Sequence, residues 1–109
     1  MERDDDFLRE LLFKIEETEN GFPYVRTMGE DSKKLGHLEL LCDKRLICQR
    51  SPNVYRLTSD GDDFIEAIRD DGIWKKTKDT VANVAKNGGQ VTLEILKTIA
   101  IDSLKGGVI

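Results

Sequence analysis

The sequence predicts a mainly α-helical fold carrying a small β hairpin. Apolar residues recur at helical period near the start of the chain, again from Leu35 to Leu46, and through much of the C-terminal half. Two short alternating segments, Leu46–Arg50 and Val54–Leu57, flank Ser51-Pro52-Asn53, whose proline and asparagine supply turn dihedrals. From Leu35 to Ile68 the predicted order is helix, strand, turn, strand, helix. That is the order of a winged helix-turn-helix, here with extra C-terminal helices.

The chain of 109 residues is long enough for one core, and a single domain over 1–109 is expected. Within it, residues 1–86 would form the winged-helix core, with the wing at 46–57. Residues 90–105 would form a last helix used for packing or oligomerisation. Hydrophobic residues at 39% and charged residues at 35% describe a globular chain, not a disordered one. No apolar run approaches the ~20 residues of a membrane span. The start, MERDDD, lacks the basic and apolar regions of a signal peptide, so a cytoplasmic location is expected.

A net charge of −4 argues against strong nonspecific nucleic-acid binding by the molecule as a whole. The charge is unevenly spread, however. Residues 1–19 hold eight acids and three bases, a balance of −5, and residues 59–79 carry −3. Residues 32–58 carry Lys33, Lys34, Lys44, Arg45, Arg50 and Arg56 against Glu39 and Asp43, a balance of +4. The winged-helix centre is the basic part.

The first helix is read from Phe7, Leu8, Leu11, Leu12 and Ile15, with Asp4 to Asp6 at its start to cap free amides and its end near Asn20-Gly21. Phe22 to Met28, with Pro23, reads as a short edge strand that pairs with the wing. Gly29 to Ser32 forms a turn. Next comes the candidate recognition helix, with Leu35, Leu38, Leu41, Cys42 and Leu46 on one face and Lys33, Gly36, His37, Leu40, Asp43 and Lys44 on the other. The segment is short for two helices before the wing. The first helix of the helix-turn-helix is therefore expected as a single turn around Glu30 to Lys34.

After the wing, Thr58 or Ser59 caps a helix whose core stripe is Phe64, Ile65 and Ile68. Ile73, Trp74, Val81, Val84 and Ala85 lie on a face rotated by well over 100° from that stripe. Two helices, or a bend near Asp71-Gly72, would account for the shift; so would one continuous helix with two partners. Asn87-Gly88-Gly89 breaks the pattern. A last helix follows from Gln90 or Thr92 to Leu104, apolar at Leu93, Ile95, Leu96, Ile99, Ala100, Ile101 and Leu104, and ended by Gly106-Gly107. So wide an apolar surface must pack on the body of the protein or on another subunit.

Catalytic chemistry finds little to work with. His37 is the sole histidine, read as a surface residue with DNA or partner contact as its alternative, and no nucleophile–base pair can be built from it. Gly88-Gly89 lacks the Lys-Ser/Thr of a phosphate loop. Asp70 and Asp71, adjacent on a helix, diverge by about 100°. Cys42 and Cys48 read as buried apolar thiols. His37 and Cys42, five residues apart on a helix, stand about 140° apart around its axis and cannot converge on one metal ion. No enzyme activity, cofactor or metal is expected.

Two segments resemble a known family. One is Arg3-Asp4-x-Asp6 running into Leu8, Leu12, Ile15 and Glu16. The other is Leu57-Thr58-x-x-Gly61-x-x-Phe64-Ile65-x-Ala67-Ile68-Arg69-Asp70-Asp71-x-Ile73-Trp74-x-Lys76, joined by a late Leu93-Glu94-x-Leu96-Lys97. Together they resemble the bacterial and phage-associated domain of unknown function 2513. The resemblance implies a winged-helix core and an association with mobile elements, and it carries no catalytic residues. Arg45 stands where the family pattern usually has glycine.

The expected function is that of a DNA-binding transcriptional regulator or phage accessory factor. Lys33, Lys34, His37 and Lys44 would face the groove or phosphates, with Arg50 and Arg56 on the wing. The alternative is a winged helix used for contact with a protein partner. A homodimer joined through Trp74, Ile95, Ile99 and Leu104 is a further expectation.

Overall fold

The computed structural model describes residues 3–18, 24–25, 32–51 and 54–106. Among them, five helices accompany a three-stranded antiparallel sheet. In order these are α1 (Asp5–Thr18), β1 (Tyr24–Val25), α2 (Ser32–Asp43), β2 (Ile47–Ser51), β3 (Val54–Leu57), α3 (Ser59–Ile68), α4 (Asp71–Lys86) and α5 (Leu93–Gly106). The chain forms two compact units, Met1–Asp62 and Asp63–Ile109, divided within α3. The expected features at Asn20-Gly21, Pro23, Pro52-Asn53 and Gly107 lie outside the described residues.

In the first unit, α1 starts where Asp4 Oδ1 accepts the Phe7 N–H at 3.1 Å, an N-cap that satisfies one otherwise orphaned amide. Its buried stripe is Leu8, Leu11, Leu12 and Ile15, the spacing of one helix face, and α1 packs on β1 and β3. β3 is the central strand, in the order β1-β3-β2. Tyr24 pairs with Tyr55 and Val25 with Val54; Ile47 pairs with Leu57 and Cys48 with Arg56. Strand alternation buries Tyr55 and Leu57 and turns Arg56 outward. A register shift between Gln49 and Ser51 leaves Arg50 as the extra residue of a bulge.

This element order and sheet order are compatible with a winged helix. One feature differs from expectation. Ser32 to Lys34 form the first turn of α2 itself, not a separate one-turn helix, while Glu30 and Asp31 lie outside the described residues. α2 also stops at Asp43, short of Leu46.

A Schellman motif makes that stop. The Arg45 N–H donates to the Cys42 carbonyl at 3.0 Å and the Leu46 N–H to the Leu41 carbonyl at 3.0 Å, with Leu41 and Leu46 both buried. The motif needs a left-handed residue at its centre, and Arg45 supplies it at φ 61°. For a residue with a Cβ this conformation costs about 1 kcal/mol that glycine would avoid.

The Leu57-Thr58-x-x-Gly61 string then ties the first residues of α3 to this turn. Leu57 is buried, and the Thr58 N–H donates to the Leu46 carbonyl at 3.1 Å. The Thr58 hydroxyl donates to the Arg45 carbonyl and accepts the Gly61 N–H at 3.1 Å. A Cβ on Gly61 would stand 2.0 Å from the Leu46 carbonyl oxygen. Glycine is required here by close backbone approach.

In the second unit Phe64, Ile65, Ala67 and Ile68 are buried on α3. The stripe rotation seen in the sequence reflects two helices: α3 ends at Ile68, and Asp70 Oδ1 caps α4 by accepting the Ile73 N–H at 3.0 Å. α4 buries Trp74 and also Thr77, whose hydroxyl donates to the Ile73 carbonyl at 2.8 Å. Val81 and Val84 are half-buried and Ala85 is exposed. A second Schellman motif ends α4. Gly88, at φ 86°, donates to Ala85 at 3.1 Å and Gly89 to Val84 at 2.8 Å. The Thr92 hydroxyl accepts the Ile95 N–H at 3.2 Å and starts α5, which packs on α4 and buries Leu93, Leu96 and Ala100.

Candidate nucleic-acid interface

The structure separates the basic residues of the centre into two groups. The first group lies on α2, whose buried residues are His37, Leu38 and Leu41. The sequence placed His37 on the outer face, and the structure corrects this: His37 is 0% exposed. Both its ring nitrogens are used within the molecule. Nε2 accepts the Asp4 backbone N–H at 3.0 Å, so Nδ1 carries the proton and donates to the Lys33 carbonyl at 2.7 Å. The Phe7 ring meets the imidazole edge-on at 4.9 Å. Packed in this way, His37 does not reach a ligand on the outer face of α2.

Lys33 is engaged as well. Its Nζ lies 2.9 Å from Asp4 Oδ2 and 4.7 Å from the centre of the Phe7 ring. The Lys33 hydrogen bond and then the Phe7 N–H hold the Asp4 carboxyl below the usual carboxylate range. Lys34 is half-buried. What α2 turns fully to solvent beyond its first turn is Glu39 and Asp43, with Gly36 and Leu40 half-exposed beside them. That surface is acidic, the wrong sign for phosphate.

The second group lies at the end of α2 and on the hairpin. Lys44, Arg45, Arg50 and Arg56 are all exposed, and none has an acidic partner among the described residues. Lys44 and Arg45 form the α2–β2 turn. Arg56 stands on the side of β3 opposite the buried Tyr55 and Leu57, paired with half-buried Cys48, and Arg50 is two residues farther along β2. Arg45, counted in the sequence only as one charge of the basic centre, has a left-handed backbone at φ 61°. The glycine usual at its position in the family pattern is the signal that could have shown this.

The residues expected at a dimer interface are divided as well. Trp74 is 4% exposed within the single chain, with the Lys78 ammonium 5.7 Å from its ring centre. Ile99 and Leu104 are half-buried, and Ile95 is 39% exposed. Cys42 and Cys48 are free and half-buried instead of fully buried. Burial, and then the charges of Asp43, Cys48 and Glu39, push the Cys42 thiol up from its ordinary value. Among the described residues no group of three or more His, Cys, Asp or Glu side chains is placed to hold a metal ion. None of the described helices is long and apolar enough to cross a membrane.

Comparison with curated proteins and with solved structures gave no match. A family model, described as hypothetical protein (DUF2513), matches residues 2–88. That span takes in α1, the α2–hairpin unit, the Leu57-Thr58-x-x-Gly61 seat and the Asp70 cap of α4. The chain belongs to this family, the domain of unknown function 2513.

Proposed function

We propose that the protein is a non-catalytic binding module that holds the sugar–phosphate backbone of duplex DNA through Lys44, Arg50 and Arg56. In this reading the hairpin and the turn before it make the contact, and α2 does not read the groove. The carrying observation is the division of charge: the α2 lysine nearest solvent is already paired with Asp4, while the turn and hairpin bases have no acidic partner among the described residues. Exposed cations of this kind bind phosphate by releasing condensed counterions. Phosphate contacts position a protein and carry no sequence information directly. A role as a transcriptional regulator or mobile-element accessory factor, in the cytoplasm, fits such a module.

Titration of a fluorescent mixed-sequence duplex at several salt concentrations tests this. Three phosphate contacts predict a slope of log K against log salt of about −3, steeper if a further base joins them. Replacing Lys44, Arg50 and Arg56 together by glutamate should abolish binding without lowering the melting temperature. An absence of binding at low salt, or a flat salt dependence, overturns the reading.

A second reading, contact with a protein partner, is favoured by the exposed Glu39 and Asp43 on α2. It predicts that a basic partner is lost on Glu39→Lys with Asp43→Lys and kept in the hairpin triple variant.

A further inference from the structure

We propose that Arg45 is a phosphate-contacting residue, held in the α2–β2 turn in spite of its backbone strain; this rests on the DNA reading above. Arg45 is left-handed at φ 61°. Its main chain has two duties: the N–H closes the turn onto the Cys42 carbonyl at 3.0 Å, and the carbonyl accepts the Thr58 hydroxyl. Glycine performs both without strain, as Gly88 does at the same position of the motif that ends α4.

The Arg45 side chain therefore has to be accounted for separately. It is exposed and has no acidic partner among the described residues, so no ion pair there offsets the strain. Strained backbone that persists without an internal reason is characteristic of binding sites. The chemistry of the ligand follows from the group presented. A guanidinium offers a planar fork of N–H donors that matches two oxygens of one phosphate. Thr58, two residues after Arg56, holds Arg45 beside the end of β3 through its hydroxyl, and Lys44 directly precedes Arg45. Arg45 thus extends the basic hairpin toward the start of α3.

Arg45→Gly, Arg45→Ala and the unchanged protein should be compared by thermal melting and by the duplex titration across salt. Arg45→Gly removes strain and charge together, so its melting temperature should rise by about 4 °C. Its duplex affinity should fall about five-fold at low salt, with the salt slope reduced by about 0.9. Arg45→Ala should lose the same affinity and slope without the gain in melting temperature. If the unchanged protein binds and both variants keep its affinity and slope, the Arg45 assignment is wrong and the hairpin reading stands. If the unchanged protein does not bind, both are wrong. A melting temperature for Arg45→Gly no higher than that of the parent removes the strain argument.

Discussion

The imidazole of His37 accepts the backbone N–H of Asp4 at 3.0 Å, across 33 residues of sequence. Its other nitrogen donates to the Lys33 carbonyl, and the Asp4 carboxylate reaches back to the Lys33 ammonium. The N-cap of α1 and the first turn of α2 are therefore joined through three groups, with the Phe7 ring packed among them.

His37→Ala should destabilise the protein by about 2–3 kcal/mol, since it opens a cavity and leaves the Asp4 N–H without its acceptor. Urea unfolding monitored by circular dichroism measures this. A loss below about 0.5 kcal/mol, the range of an ordinary surface substitution, would contradict the buried placement.

The Asp4 carboxyl titrates below its unfolded value, so what it adds to stability has a definite pH window. The contribution is fully present above the ordinary carboxylate value of about 3.9 and is lost as pH falls through the lower folded value. Asp4→Asn keeps an acceptor for the Phe7 N–H and removes the charge that pairs with Lys33. Parent and variant should differ at neutral pH, parent more stable, and converge in strong acid. The difference should shrink in high salt, because the pair is partly exposed. A gap that persists in strong acid would assign it to something other than this ionisation.

Gly61→Ala places a methyl group 2.0 Å from the Leu46 carbonyl oxygen, a main-chain atom that cannot swing aside. A loss of about 2–3 kcal/mol is expected, at the upper end for overpacking. Differential scanning calorimetry reads it directly, and an unchanged melting temperature would show that Gly61 does not lie against the Leu46 carbonyl as described.

The Cys42 thiol, raised by burial and by Asp43, should react slowly with iodoacetamide at neutral pH. Mass-resolved pulse labelling of folded and urea-unfolded protein compares the two rates at this residue. Equal rates would contradict its shielded setting.

Local chemistry was readable from the residues alone. The Leu8–Ile15 stripe, the hairpin, the Thr58 cap and the break at Asn87-Gly88-Gly89 each depend on neighbours a few positions away, and each stands where the pattern put it. Non-local chemistry was not. A histidine between Gly36 and Leu38 reads as solvent-facing until Asp4, far away in sequence, supplies the donor that lets it be buried. Thr77 was passed over for a similar reason, because a hydroxyl turned back on the Ile73 carbonyl can be buried like an apolar group. For the candidate interface, Arg50 and Arg56 were legible as residues on the hairpin arms; alternation accounts for the exposure of Arg56, whereas Arg50 is exposed at a bulge. Charge count could not show that Lys33 was already paired, nor that Arg45 was left-handed.

The Thr58 seat also bears on the order of folding. The bond from its hydroxyl to the Arg45 carbonyl spans 13 residues, and the hairpin lies inside that span. Closing so short a loop costs little chain entropy and is fast, whereas the Asp4–His37 tie must wait for distant segments to meet. The turn, the hairpin and the first residues of α3 should therefore assemble as an early nucleus. Thr58→Val should slow refolding in stopped-flow experiments more than it speeds unfolding, and His37→Ala the reverse. On that view the surface proposed to meet DNA is the part of the chain that acquires its shape first.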